Sequence, residues 1–117
     1  MLEIVRILDN LNIIEILYKG AVNINELKEG RKEVHKIYDK HGLMHALLDM
    51  RDTKLDMSTL EIYDFAKAVK RPICGRIALL VNNEDDNIKF LHTVANNNSA
   101  PMKLFYGYSD ALDYLTK

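Results

Sequence analysis

The stretch 72-PICGRIALLVNNEDDNIKF-90 carries the reading on which the fold turns. Ile77, Ala78, Leu79, Leu80 and Val81 follow one another with no polar residue between them, so the segment has no side that could face water. A short apolar run of this kind is a strand covered on both faces, as in a parallel sheet. Pro72 and Gly75 end whatever precedes it. Asn82-Asn83 turns the chain, and Glu84-Asp85-Asp86 opens a helix with Ile88, Leu91, Val94 and Ala95 on one side. A buried strand feeding an amphipathic helix is half of a βαβ unit, and the rest of the chain can be read outward from it.

Toward the N-terminus, Leu43–Asp49 (LMHALLD) is another nearly all-apolar strand, expected to be central. Between the two strands, Met50–Asp56 reads as an aspartate-rich loop. Ser58, three residues before Glu61, reads as the start of a helix reaching about Val69, with Leu60, Phe65, Ala66 and Val69 inward. Earlier still, Asn23 and Glu26 have the same capping spacing. They open a helix carrying Leu27, Val34, Ile37 and Tyr38 and ending before Gly42. Gly30 falls inside that helix, where glycine costs about 1 kcal/mol against alanine, so it marks close packing or a tolerated defect. The opening residues, 3–8 and 12–18, read as two strands joined at Asp9-Asn10, the second broken by Glu15 and ended by Lys19-Gly20. So short a link makes them an antiparallel hairpin. Toward the C-terminus, a polar loop (Asn96–Ser99) and Pro101 precede a fifth strand at 102–106. Ser109 then caps a last helix with Ala111, Leu112 and Leu115 inward. The order is β-β-α-β-α-β-α-β-α. It predicts one α/β domain over residues 1–117, with a mostly parallel five-stranded sheet, an antiparallel first strand and four helices on both faces.

Composition narrows the function classes. A net charge of −1 supplies no overall field for nucleic acid or anionic lipid. No apolar run reaches the roughly 20 residues of a membrane helix. The start lacks a basic region followed by an apolar one, and Cys74 is the single cysteine. These features lead to the expectation of a cytoplasmic protein with no internal disulfide.

Chemistry-bearing patterns are sparse. No glycine-rich phosphate loop occurs, and the carboxylates of Glu84, Asp85 and Asp86 suit a helix N-terminus while repelling phosphate. Asp49, Asp52 and Asp56 match no calcium loop, and aspartates are common in turns because they bond local amides. His41 and His45 are four apart but separated by Gly42, so they do not share a helical face, and His45 reads as a satisfied strand histidine. No serine sits in a nucleophile elbow. The expectation is no catalytic residue, no cofactor and no metal.

Several local patterns nevertheless go together. They are the opening hairpin, the Gly20 region before a long charged helix, the strand ending in Asp49, GRIALLV (Gly75–Val81) and the ending KLFYGYSDALDYL (Lys103–Leu115). In this combination the whole chain resembles the SpoIIAA-like domains, small bacterial proteins grouped with the STAS fold of anti-sigma-factor antagonists and compared with CRAL-TRIO lipid-binding domains. The resemblance implies a non-enzymatic regulatory or protein-interaction module, with a protein partner or a second copy of the chain in a homo-oligomer. Its alternative is a domain binding a small apolar ligand or lipid. Antagonists of this kind carry a phosphorylated serine at the start of the helix after the third strand. Ser58, in Asp56-Met57-Ser58-Thr59, is the residue at that place and so the candidate phosphoacceptor. The Asp-Ser-Ser/Thr-Gly run of the antagonists is absent here, and an N-cap alone also accounts for Ser58.

Overall fold

The computed structural model describes residues 1–8, 11–42, 44–68, 75–82, 85–97 and 102–117. Its elements follow in the order β1 (Leu2–Leu8), β2 (Ile13–Val22), α1 (Ile24–His41), β3 (His45–Leu55), α2 (Thr59–Lys67), β4 (Ile77–Leu80), α3 (Asp86–Asn97), β5 (Met102–Phe105) and α4 (Tyr108–Thr116). The five strands form one sheet in the order β1-β2-β3-β4-β5, so β3 is central. β1 pairs antiparallel with β2, and every other pair is parallel. Architecture, strand count and helix count agree with the sequence reading. The expectations placed on Asp9-Asn10, Leu43, Val69, Pro72, Cys74, Asn83-Glu84, Asn98-Ser99 and Pro101 lie outside the described residues.

A strand order that follows the chain order has a geometric consequence. Right-handed crossovers that all step the same way across a sheet put their helices on the same side. α1, α2 and α3 accordingly share one large core with the sheet: Ile14, Ile16, Ala46, Ile77 and Leu79 meet Leu27, Val34, Ile62, Leu91 and Val94. α4 leads to no further strand and lies on the other face, where Ala111 and Leu115 pack on Ile13, Leu47, Ala78 and Leu80. The alternation expected for β4 holds. Leu79 and Ile77 face the large core, Ala78 and Leu80 the small one, and all four are buried. Arg76 ties the last helix down: its guanidinium donates to the Tyr114 and Lys117 carbonyls at 2.8 and 2.7 Å, placing a cation at the helix C-terminus.

Four local expectations need correction. β2 does not end at Lys19-Gly20, and Met50–Leu55 is not a loop. Lys19, Gly20, Ala21 and Val22 pair with Asp52, Thr53, Lys54 and Leu55, extending both strands. Each stretch looks like a turn alone because it is polar; only their mutual pairing makes them strand. Between Leu17↔Asp49 and Lys19↔Asp52 the register shifts, with Met50 and Arg51 opposite Tyr18 alone, a bulge in β3. Gly20 keeps a positive φ of 69° within β2. Leu60 points outward, because α2 is phased by Ile62, Phe65 and Ala66, and a residue two before Ile62 lies across the helix. Ser109 lies inside the first turn of α4, whose N-cap is Gly107.

Candidate functional site

α2 starts from the C-terminal end of β3. Ser58 is its N-cap, as expected: the hydroxyl accepts from the Glu61 amide at 3.1 Å, and the Glu61 carboxylate accepts from the Ser58 amide at 2.9 Å. This reciprocal box satisfies two donors that a helix start would otherwise leave unpaired. Asn23 caps α1 through its side chain at 3.0 Å to the Glu26 amide. Asp85 accepts from the Asn87 and Ile88 amides at 2.7 and 3.4 Å at the start of α3. These three of the four helix starts are therefore occupied by the protein's own side-chain oxygen atoms, which leaves no free amides there for a phosphate ion; α4 starts at Gly107 without a side-chain cap.

The outer side of α2 is unusual in another way. Leu60 is 68% exposed and Tyr63, one turn on, is 40% exposed. Lys67 lies over the Tyr63 ring at 5.7 Å. Ser58 and Thr59 are exposed at the same end, with Met57 half-buried beside them. Leu60 and Tyr63 thus put two large exposed apolar side chains on one short helix, whose exposed N-cap is Ser58.

The face carrying α4 holds an ionic cluster. Arg6 stands directly opposite Glu15 in the hairpin, and its Nε donates to Glu15 Oε1 at 2.7 Å. The Tyr108 hydroxyl donates to the other Glu15 oxygen at 2.6 Å. One strand over, Arg51 grips Asp49 through two guanidinium contacts of 3.0 and 2.8 Å, and its own amide adds a third at 3.2 Å. The β3 bulge lets Arg51 double back in this way, and its guanidinium lies 5.8 Å from the Tyr108 ring. Glu15 and Asp49 are only 5% and 4% exposed, so each needs its arginine. Both guanidiniums are held more firmly protonated than usual, chiefly by hydrogen bonds to these carboxylates, and burial raises the Tyr108 hydroxyl. Acid and base cancel within the cluster, and its joint role is to pin β1, β2, β3 and α4 together.

The aspartates weighed as cation ligands are not brought together as a site: Asp49 is clasped by Arg51, while Asp52 and Asp56 are exposed. Among the described residues no group of three or more histidines, cysteines, aspartates and glutamates is placed to hold a metal ion. His41 ends α1 and Gly42 follows with a φ of 84°, which separates it from His45.

His45 Nδ1 accepts from the Arg76 amide at 2.7 Å. Burial, and then the Arg76 charge, hold its imidazole below the ordinary histidine value. The unfolded chain therefore takes up its proton first as pH falls, and this contribution to stability, intact above about pH 6.5, is lost on acidification. Urea titrations between about pH 8 and about pH 5 are expected to show a steeper loss for the wild type than for His45→Asn, whose amide oxygen accepts the same bond without titrating. Equal slopes would remove His45 from the acid response.

Beneath α1 and α2 the large core is not completely filled. A cavity of about 90 Å³ lies between these helices and the sheet, lined by Ile16, Leu27, Ala46, Leu48 and Phe65, with Tyr18 and Arg31 also on its wall.

A solved structure shares the whole arrangement. An uncharacterised protein of the DUF3478 family from Shewanella loihica PV-4, described as having a SpoIIAA-like fold, superposes with a TM-score of 0.67, covering 98% of this chain and 92% of its own. This chain has a SpoIIAA-like fold. Sequence identity is 17%, so the likeness is one of fold. No protein-family model and no curated protein matches the sequence. Within the SpoIIAA-like fold, the sequence reading placed Ser58 correctly as the N-cap of α2 and turned Leu60 the wrong way. It passed over Tyr63, although Leu60 and Tyr63 have the i, i+3 spacing that a helix opposite Ile62 requires. The Arg6–Glu15 pair was also within reach, since Glu15 interrupts an apolar strand and the hairpin register sets Arg6 across from it. Tyr108, 93 residues from Glu15, gave no local signal.

Proposed function

We propose that this domain is a non-catalytic regulatory module that docks a protein partner on the outer side of α2. The observation that carries the reading is the exposed Leu60–Tyr63 pair beside the Ser58 cap. Large apolar side chains grouped on an otherwise polar surface are a usual mark of protein contact. The buried ionizable groups, by contrast, are committed to one another. Ser58 is the candidate phosphoacceptor of this surface. Phosphate there adds about −1.5 to −2 charges at the start of α2; it suits the helix dipole but meets the carboxylates of Asp56 and Glu61, so it changes the surface more than the fold. A lipid-carrying role is less well supported. Ligand pockets are commonly about 300–1,000 Å³, and the apolar cavity is about 90 Å³.

Leu60→Glu with Tyr63→Glu is expected to retain the fold and lose the partners captured by the wild-type protein from its native cells. An unchanged partner set would refute the docking surface. Ser58→Ala is expected to cost about 1 kcal/mol, whereas Ser58→Asp caps about as well as serine; chemical denaturation separates the two. Phosphosite mapping and pull-downs with both variants test the switch. If Ser58 and Thr59 stay unphosphorylated under every growth condition and partners are unchanged, Ser58 is a structural cap only.

A further inference from the structure

The geometry points to a symmetric dimer in which the β1 strands of two copies pair antiparallel, their sheets become continuous, and the α1 helices meet above the joint. The occupant of the β1 edge is thus a second copy of this chain. β1 has β2 on one side and no strand on the other. It offers seven residues of edge, five of them apolar, and Ile4 is 41% exposed. Proteins blunt such edges by keeping them short or charged. The opposite edge follows that rule, β5 being four residues with a lysine. β1 departs from it, interrupted by a register shift between Leu2 and Ile4.

The charges of α1 favour a copy over another chain. α1 packs over β1 and β2. Its Arg31 lies 4.8 Å from the Phe65 ring centroid, so that flank faces α2. With about 3.6 residues per turn, Glu29, Glu33 and Lys40 lie on the opposite flank, toward the free edge, with Lys36 beside them. The acids occupy the earlier half of the helix and the bases the later half. A two-fold axis through the β1 joint sets α1 antiparallel to its copy, so the acids of each helix meet the bases of the other. The spacing agrees. Strands are about 4.8 Å apart, so helices seated midway over β1 and β2 of each copy come about 10 Å apart, a distance at which helices pack.

The register agrees as well. Centring on Val5 pairs the whole strand with itself, Leu2 with the partner's Leu8 and Ile4 with the partner's Arg6. Tyr18, opposite Leu2, reaches Gly30 of α1 with its hydroxyl, and Val5 is opposite Ile16. That step along β2 is about 7 Å, or about four to five residues of helix, so the axis passes α1 near Val34. About that point Glu33 stands across from the partner's Lys36, and Glu29 across from the partner's Lys40. Glu33 and Lys36 already meet at 3.2 Å on their own helix, an exposed pair that is weak alone and joins a network across the joint.

This dimer goes beyond the α2 docking reading and neither depends on the other, because α1 separates the β1 edge from α2. The test is sedimentation of the full chain over a wide range of concentration, with two charge-reversed variants. Lys36→Glu with Lys40→Glu makes the flank acidic, and Glu29→Lys with Glu33→Lys makes it basic. The wild type is expected to dimerise as concentration rises, and each variant alone to associate at least about tenfold more weakly. An equimolar mixture of the two variants should recover the wild-type affinity. Hydrogen exchange reads the strands: the outward amides of β1 should slow as the wild type dimerises. Monomer at every concentration overturns the dimer and leaves the edge to a segment of another protein. Reversals without effect, or a mixture that associates no better than its components, overturn the α1 contact and with it the choice of a second copy. A dimer whose β1 amides exchange equally fast at all concentrations overturns the strand joint.

Discussion

Leu79→Ala is expected to lower stability by about 2–5 kcal/mol. Leu79 is fully buried at the middle of β4, between Leu48 of β3 and Leu104 of β5 in register. It faces the core shared by α1, α2 and α3, and β4 is covered on its other face by α4, so neither layer can close over the missing atoms without moving the sheet. The upper part of that range applies if the new void joins the existing cavity instead of collapsing. Chemical denaturation of wild type and variant decides it. A change within error would show that β4 is not a rigid element of the core.

Gly30→Ala is expected to destabilise by about 1–3 kcal/mol, although alanine is the better helix former. A Cβ at residue 30 would lie 2.0 Å from the Tyr18 hydroxyl oxygen and 3.1 Å from the ring carbon that bears it. Gly30 is part of the buried stripe of α1, with Leu27 and Val34, and its missing side chain is what lets the tyrosine ring of β2 stand end-on against the helix. Tyr18→Phe removes the clashing atom, leaving a contact from which a few tenths of an ångström suffice. The double variant is therefore expected to be more stable than the sum of the two single changes predicts, with a coupling of about 0.5–3 kcal/mol. Additive effects in urea titrations would mean that α1 shifts away as a unit. The same contact resolves the two readings left open for a glycine in mid-helix: Gly30 marks close packing.

The fold was legible because its elements differ in kind. Ile77–Leu80 has no polar face, α1 and α3 repeat their apolar residues at helical spacing, and the hairpin needs only a short link. Pairings between two polar stretches were not legible: Lys19–Val22 and Asp52–Leu55 each resemble a turn until the other is beside them. The surface of α2 was half legible. Ser58 and Glu61 announce themselves by spacing, whereas the outward turn of Leu60 depends on whether Ile62 or Leu60 sets the helical phase, a choice made by the sheet beneath. Arg31 resembled every other charge along α1. Only the ring of Phe65 distinguishes that arginine from the lysines and glutamates around it.

A sheet whose strands lie in the order of synthesis can be built at its growing edge as the chain is made, with no strand having to insert between two others. Each new strand docks on its predecessor, and right-handed connections lay the intervening helices over one side. The hazard travels with that edge. Once Asp49 has been added, the stretch Ala46–Asp49 of β3 offers unpaired backbone on one side until Ile77–Leu80 arrives, and this short, mostly apolar edge is open to pairing with other chains. The terminal strand ends the exposure by being brief: β5 is four residues with Lys103 among them, and the last helix then folds back across its neighbours. Substitutions that slow the β3–β4 step should therefore show first as aggregation during expression, before any loss of stability in the finished protein.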